Sequence, residues 1–457
     1  MSDKTSAAPR PQVAAADYEV TKNSCVVCAP LGATLAFAGV RKGMTILHGS
    51  QGCATYIRRY TISHFREPLD AASSSFTEES AVFGGKANLR LAFENVAQEY
   101  RPEFIGVATT CLAETIGEDA AATKQALRDL AEEKGVLLAT VSTPSYRGDH
   151  RLGFRLALRA IAQAACPADA SHADAPKPFP ARGGETAAPT PVAVFPSLLS
   201  PADLRHLKGL VRAFGLEPIL VSDYSDTLDG GPWKEHRLLP EGGTPIADLR
   251  RLPTAARSLE LGSPVADECS GAAYLEAAFG VPRETIPLPI GVRPSDRLIQ
   301  ALEGLSGRPA PEKIRSQRER LLDSYVDAHK HVFGKRALLY GDPDVRDALL
   351  GFLAEIGMES VLAEGEGRDF RSVEEAAERS AQGGKPVDML IGNSKGYKTA
   401  KRLGVPLVRV GFPIHDRFGG QRVRLLGYGG TQELFDRVVN AFIERKQEDS
   451  DVGYTYY

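Results

Sequence analysis

Short apolar runs alternate with longer stretches whose apolar residues recur every three to four positions, and this alternation persists along almost the whole chain. The runs at 45–47, 104–108, 136–141, 192–195, 218–221, 337–340, 389–391 and 407–410 read as buried strands. The stretches at 88–99, 121–133, 201–214, 311–331 and 432–444 read as amphipathic helices. A helix between successive strands is the connection that parallel pairing needs, whereas a tight turn suffices only for antiparallel strands. The pattern therefore predicts an α/β chain, with parallel sheets covered by helices. Most runs end in small or polar residues, as strands do where they leave a sheet's carboxyl edge.

At roughly 150 residues per domain, 457 residues suggest about three domains. Residues 166–190, rich in Ala, Pro and Gly, read as a linker between a first unit at 21–165 and a second at 191–330. A third unit is expected at 331–430, followed by a helix and tail at 431–457, and residues 1–20 read as a flexible lead. A composition of 43% hydrophobic and 25% charged residues excludes a wholly disordered, collagenous or coiled-coil chain. The net charge of -3 gives no general electrostatic footprint for nucleic acid. No run approaches the roughly 18 apolar residues of a membrane span, and no apolar signal core opens the sequence. No membrane partner and a cytoplasmic location are expected.

Six cysteines are too few for a disulfide scaffold in a chain of this length. Cys25, Cys28, Cys53 and Cys111 lie in the segments CVVCAPLGA, HGSQGCATY and TTCLAET. Each lies between an extended segment and the start of a helix, where backbone amides favour a thiolate. Loops leaving one sheet edge can bring three of them to a point. Converging thiolates suit zinc or an iron–sulfur cluster. No compact four-ligand zinc set is present, and three cysteines are one short of a conventional four-iron cluster unless a partner supplies the rest. Spacing alone leaves buried structural cysteines, and dithiol chemistry between Cys25 and Cys28, as open alternatives. Ser145, in VSTPSYRGDH, either approaches the same edge as an oxygen ligand or hydrogen-bonding group, or caps a helix.

The segments CAPLGA, HGSQGC, SHFREP, ASSSFTEE, AVFGG, TTCLAETIGED and STPSYRG resemble the nitrogenase component 1 superfamily, most closely its β-type subunit and scaffold relatives. The resemblance implies three Rossmann-like αβα domains, with parallel sheets, around a shallow cleft. It also implies an α-type homologous partner in an α2β2 heterotetramer. An interfacial P-cluster of the [8Fe-7S] type would be held by three cysteines from each side. By match, the ligands here are Cys28 in CAPLGA, Cys53 in GSQGC and Cys111 in TTCLAET. Ser145 stands where the family's β subunit has a serine able to ligate the oxidised cluster, and Cys25 is an additional candidate outside the common pattern. The family's catalytic iron–sulfur cofactor lies in the α-type subunit, so no catalytic residue is assigned here, and Cys269 reads as a surface or helix-capping cysteine. A homodimeric ATP-dependent iron–sulfur reductase would dock transiently and deliver electrons.

Two departures bear on the branch. The chain is short for the β subunit of a molybdenum nitrogenase, and DYSDTLDGG, LPIG, LIGNSKGYK and RVGFPIHDR resemble scaffold-like or nitrogenase-like members. The typical assembly scaffold replaces the TTC cysteine, yet Cys111 is kept. That combination is similar to nitrogenase-like reductases, among them the methylthio-alkane reductases that cleave C–S bonds of small thioethers. An assembly scaffold and a true nitrogenase β subunit are the alternatives. Elsewhere, His48 is expected to be a hydrogen-bond donor near the cluster or a plain strand-end residue. Ser73, Ser74 and Ser75 are expected to cap a helix or tune the cluster. Arg58, Arg59, His64 and Arg66 are expected to pack and form ion pairs, and Asp416 to pair with Arg417. GDPDV and GYGGT read as turns, and no phosphate-binding loop is present.

Overall fold

The computed structural model describes residues 24–168, 189–233, 235, 237–363 and 370–451. The expected N-terminal lead, most of the linker and the end of the tail lie outside these residues. The first sheet contains β1 (Gly43–His48), β2 (Ala71–Ser73), β3 (Phe104–Thr109) and β4 (Leu137–Val141), in the order β2-β1-β3-β4. The second contains β5 (Thr190–Phe195), β6 (Leu216–Leu220), β7 (Ser258–Leu261) and β8 (Arg283–Ile286), in the order β6-β5-β7-β8. The third contains β9 (Arg336–Leu339), β10 (Glu359–Leu362), β11 (Met389–Gly392) and β12 (Leu407–Arg409), in the order β10-β9-β11-β12. All pairings are parallel, with Thr45 of β1, for example, opposite Ala71 on one side and Gly106 on the other. The three sheets thus share one topology, although no residue-level repeat relates them.

The eight expected strands are present, and four more were not signalled. Three of these four, β2, β8 and β10, are sheet edges. Their sequences, AAS, RETI and ESVL, lack a continuous apolar run because an edge needs less of one. The fourth, β7, is buried throughout but carries Glu260, whose charge hides the run until its partner Arg155 is seen. GYGGT is not an isolated turn but opens the helix Gly427–Glu448. There Gly430 packs so closely on the Leu425 backbone that a Cβ would lie 2.5 Å from it.

Two helices of the first domain cross in backbone contact. Ala29–Ala38 is buried along its whole length and packs on His150–Ala165. A Cβ on Gly32 would stand 1.8 Å from the His150 carbonyl oxygen, and one on Gly153 would stand 1.9 Å from that of Ala29. Only glycine permits such an approach at both points. Cys28 precedes the first helix and Asp149 caps the second, and the two residues are joined by a backbone bridge.

The second of these helices also ties the domains together. Its buried Arg155 lies 3.0 Å from Asp344 and 3.6 Å from Glu260 of β7. Arg151 reaches Asp344 at 2.8 Å, Ser263 N–H donates to it at 3.0 Å, and Ser197 donates to it as well. Burial pushes the Asp344 carboxyl up, but Arg155 and Arg151 outweigh it and hold the group below its usual range. Charges this deep persist because each one is paired.

Candidate functional site

In each sheet the strand order reverses between its first and third strands, and α/β folds bind ligands in the crevice beyond those carboxyl ends. In the second sheet this place, after β5 and β7, is taken up by Ser197, Ser263 and the Arg155–Asp344 pair. In the third, after β9 and β11, Asp342 meets His150 at 3.1 Å, and the Asn393 amide donates to the Cys25 carbonyl at 2.7 Å. The first sheet differs. Beyond β1 stands Cys53, in the first turn of the helix Gln51–Phe65, and beyond β3 stands Cys111, the first residue of the helix Cys111–Thr115. Polar side chains pair across all three edges, and the first alone of the three sheets also carries cysteines at the starts of the helices that follow its strands.

Cys28 joins this edge from the N-terminus of the helix Ala29–Ala38. Burial pushes its thiol up to about 11, although the Leu31 amide opposes the rise; Cys53 and Cys111 add to it as nearby like charges. The expectation that helix-start amides would favour a thiolate is therefore not met at Cys28, where desolvation outweighs them. The same interaction shows that the three sulfurs share one neighbourhood. Ser145 donates its backbone N–H to Cys111 Sγ at 3.2 Å, and the Ser50 hydroxyl lies 3.8 Å from Cys53 Sγ. Ser145 does not cap the following helix, a role filled by Asp149. Cys25 is fully buried and packs with Leu338, Tyr340 and Phe370 of the third domain's core.

Cys28 and Cys53 are partly exposed and Cys111 is exposed. Tyr56, Leu112 and Tyr146, close in sequence to Cys53, Cys111 and Ser145, also present apolar surface to solvent. Among the described residues, no three His, Cys, Asp or Glu side chains are grouped to hold a single metal ion. Three thiols at an open edge, without a fourth ligand, instead suit half of a larger thiolate-held cluster whose other half comes from outside the chain.

The remaining expected positions resolve simply. Cys269 is partly buried in a short turn before Ser270, the residue that caps the helix Gly271–Phe279. Asp416 is paired mainly with Arg409, at 2.6 Å, with Arg417 farther away at 3.7 Å. His64 is buried and neutral, accepting the Ile414 N–H at 2.8 Å, and Arg58 pairs with Asp70 at 3.2 Å.

A family model for nitrogenase component 1 type oxidoreductases matches residues 28–443, beginning at the first of the three grouped cysteines. The chain belongs to this family. It is 31% identical over 466 residues to a nitrogenase molybdenum-iron protein beta chain of Methanococcus maripaludis, covering 94% of this chain and 96% of that one. Identity to the corresponding chain of Clostridium pasteurianum is 34% over 449 residues, with 93% and 94% covered. A nitrogenase iron-molybdenum cofactor biosynthesis protein of Nostoc is 32% identical over 434 residues, with 91% and 92% covered. The solved structure "Nitrogenase Cp1 at pH 6.5" superposes with a TM-score of 0.82 at 31% identity, over 98% of this chain and 99% of that one. The chain is thus a β-chain-like member of an iron–sulfur oxidoreductase family, with the three-domain architecture of nitrogenase component 1. The chain is short against some molybdenum-iron beta chains, covering 85% of that of Frankia alni, but not against those of Methanococcus and Clostridium, so length alone does not set the branch. No helix among the described residues is long and apolar enough to cross a membrane.

Proposed function

We propose that Cys28, Cys53 and Cys111 hold this chain's half of a P-cluster-type [8Fe-7S] centre, at an interface with an α-type partner in an α2β2 assembly. The observation that carries this reading is the grouping of three thiols at the carboxyl edge of the first sheet, each at the start of a helix. When bound, such a cluster supplies one-electron storage and transfer. The chain supplies the rest of the environment. Its thiols give up their protons to bind metal, which makes loading proton-releasing and pH-dependent. The Ser145 amide is placed to donate to the Cys111 sulfur, and its hydroxyl is the candidate oxygen ligand in an oxidised state. Cys25, sealed in the third domain's core, has no ligand role in this reading.

In the proposed complex, a homodimeric ATP-dependent iron–sulfur reductase delivers single electrons, and the catalytic iron–sulfur cofactor is held by the partner. The favoured substrates are small methylthio-alkanes: two electrons and two protons convert R–S–CH3 to R–H and methanethiol. Retention of Cys111 together with the scaffold-like body motifs supports this branch. An assembly scaffold is the second reading, favoured by the near-full-length match to the Nostoc cofactor-biosynthesis protein. The test is product formation by the anaerobic complex, supplied with its cognate reductase, ATP and ethyl methyl sulfide. ATP-dependent ethane and methanethiol are expected. A cluster-loaded complex that makes neither would refute the thioether assignment; the scaffold reading would then be tested by cofactor transfer, and the nitrogenase reading by dinitrogen reduction.

A further inference from the structure

A polar chain at the carboxyl edge of the first sheet runs through Ser74, His48 and Glu118. His48 ends β1, and its ring is fully enclosed. Its Nε2 lies 2.7 Å from Glu118 Oε2, and its Nδ1 lies 3.0 Å from Ser74 Oγ. The other Glu118 oxygen accepts the Gly85 N–H at 2.7 Å. An ionised carboxylate only accepts, so Nε2 carries the hydrogen. Ser74 Oγ already receives the Gly49 N–H at 2.9 Å, which leaves the serine hydroxyl to donate to Nδ1. The network thus assigns a neutral imidazole with an occupied but releasable Nδ1 lone pair.

The same geometry contains a second state. The Ser74 hydroxyl has another acceptor within reach, the Gly49 carbonyl at 3.5 Å, which now accepts the Phe76 N–H at 2.9 Å and the Ser73 hydroxyl at 3.1 Å, so Ser73 must turn away for Ser74 to take its place. If that hydroxyl turns, Nδ1 becomes free to bind a proton and donate it to Ser74 Oγ, with no backbone movement. Burial outweighs the pull of Glu118 and Glu114 and holds the His48 imidazole below its usual range, so the ring stays neutral until negative charge is added nearby. These two carboxylates come from the loop before the helix Ala120–Lys134 and from the helix Cys111–Thr115. The Phe76 and His48 rings pack perpendicular to each other with centroids 4.9 Å apart, and the Glu118 side chain is 18% exposed. His48 is also joined to the cysteine edge through its backbone. Its carbonyl accepts both the N–H and the hydroxyl of Thr110, the residue before Cys111, and the next residue, Gly49, begins the turn to Cys53.

We propose that Ser74, His48 and Glu118 form a redox-linked proton acceptor. As the centre at this edge gains one electron, His48 takes one proton from solvent at Nδ1, and Ser74 turns its hydroxyl to Gly49. The added negative charge is thereby balanced by an imidazolium paired with Glu118, and no bond other than N–H is made. This inference rests on the proposed centre, so its test separates the two.

The midpoint potential of the centre's EPR signal would be titrated between pH 6 and 9 in the anaerobic wild-type complex and in the variants His48→Gln and Glu118→Gln. A one-proton slope is expected in the wild type, its loss in His48→Gln, and its displacement by at least one pH unit to lower pH in Glu118→Gln. In parallel, redox-difference infrared spectra of wild-type complex labelled with 15N-histidine should show a neutral imidazole replaced by imidazolium on reduction. This wild-type measurement decides the matter even if a variant loses its iron. A slope that survives in His48→Gln, or a wild-type spectrum without a histidine band, overturns the relay alone. Absence of iron from the wild-type complex overturns the proposed centre and the relay with it.

Discussion

Replacing Gly153 with Ala tests the link between core packing and the cysteine edge. The new Cβ would lie 1.9 Å from the Ala29 carbonyl oxygen, whereas real Cβ contacts do not fall below 3.0 Å. The two helices must therefore part by about 1.1 Å, the difference between those values. Neither side can yield by a rotamer change, because the obstacle is backbone. Overpacking of this kind costs about 1–3 kcal/mol, and the upper end applies where backbone must move. Cys28 immediately precedes the displaced helix, and a bound group tolerates only about 0.5 Å of misplacement in its ligands. Gly153→Ala should thus lower the urea midpoint and also lower cluster iron, measured by metal analysis on the purified complex. Gly209→Ala is the control. That exposed helical glycine has open space where the Cβ would go, and alanine should stabilise by about 0.5–1 kcal/mol with iron unchanged. A Gly153→Ala protein with wild-type stability and iron would refute the reasoning.

Three further outcomes are expected. Cys25→Ser should leave cluster iron and the EPR spectrum unchanged, because its thiol sits in the third domain's core; loss of the signal would make Cys25 part of the site. Asp344→Asn should cost roughly 3 kcal/mol in chemical denaturation, since it strands Arg155 and Arg151 without their shared carboxylate. Burial holds His64 down to about 3, below its unfolded value near 6.5, so its stabilising effect is complete above pH 6.5 and is lost as pH falls toward 3. Between pH 7 and 5 the wild type should therefore lose about 2 kcal/mol more than His64→Gln in urea titrations, and parallel losses would exclude His64 as the source.

Central strands were legible where apolar residues run unbroken, as in Phe104–Thr109, and so were helices with a wide apolar face. Edge strands such as Ala71–Ser73 were not, because pairing on one side demands little from the sequence. Glu260 concealed β7 for a different reason: its countercharge, Arg155, is 105 residues away in sequence and becomes a neighbour only when the domains meet. The grouping of Cys28, Cys53 and Cys111 could be anticipated from three cysteines at strand–helix junctions. The raised Cys28 thiol could not, since desolvation depends on packing that spacing does not encode. His48 was visible as a candidate, but its tautomer depends on Ser74, Gly85 and Glu118 together. The pairing of Asp344, Asp342 and Asn393 across the second and third edges likewise has no local sequence signal.

The most direct test of the central claim is iron content and EPR of the anaerobically co-purified complex, compared between wild type and the separate variants Cys53→Ala and Cys111→Ala. Each variant should lose cluster iron and the associated signal, and should pair more weakly with the α-type partner. Unchanged iron and an unchanged spectrum in either variant would contradict the assignment of that cysteine as a ligand.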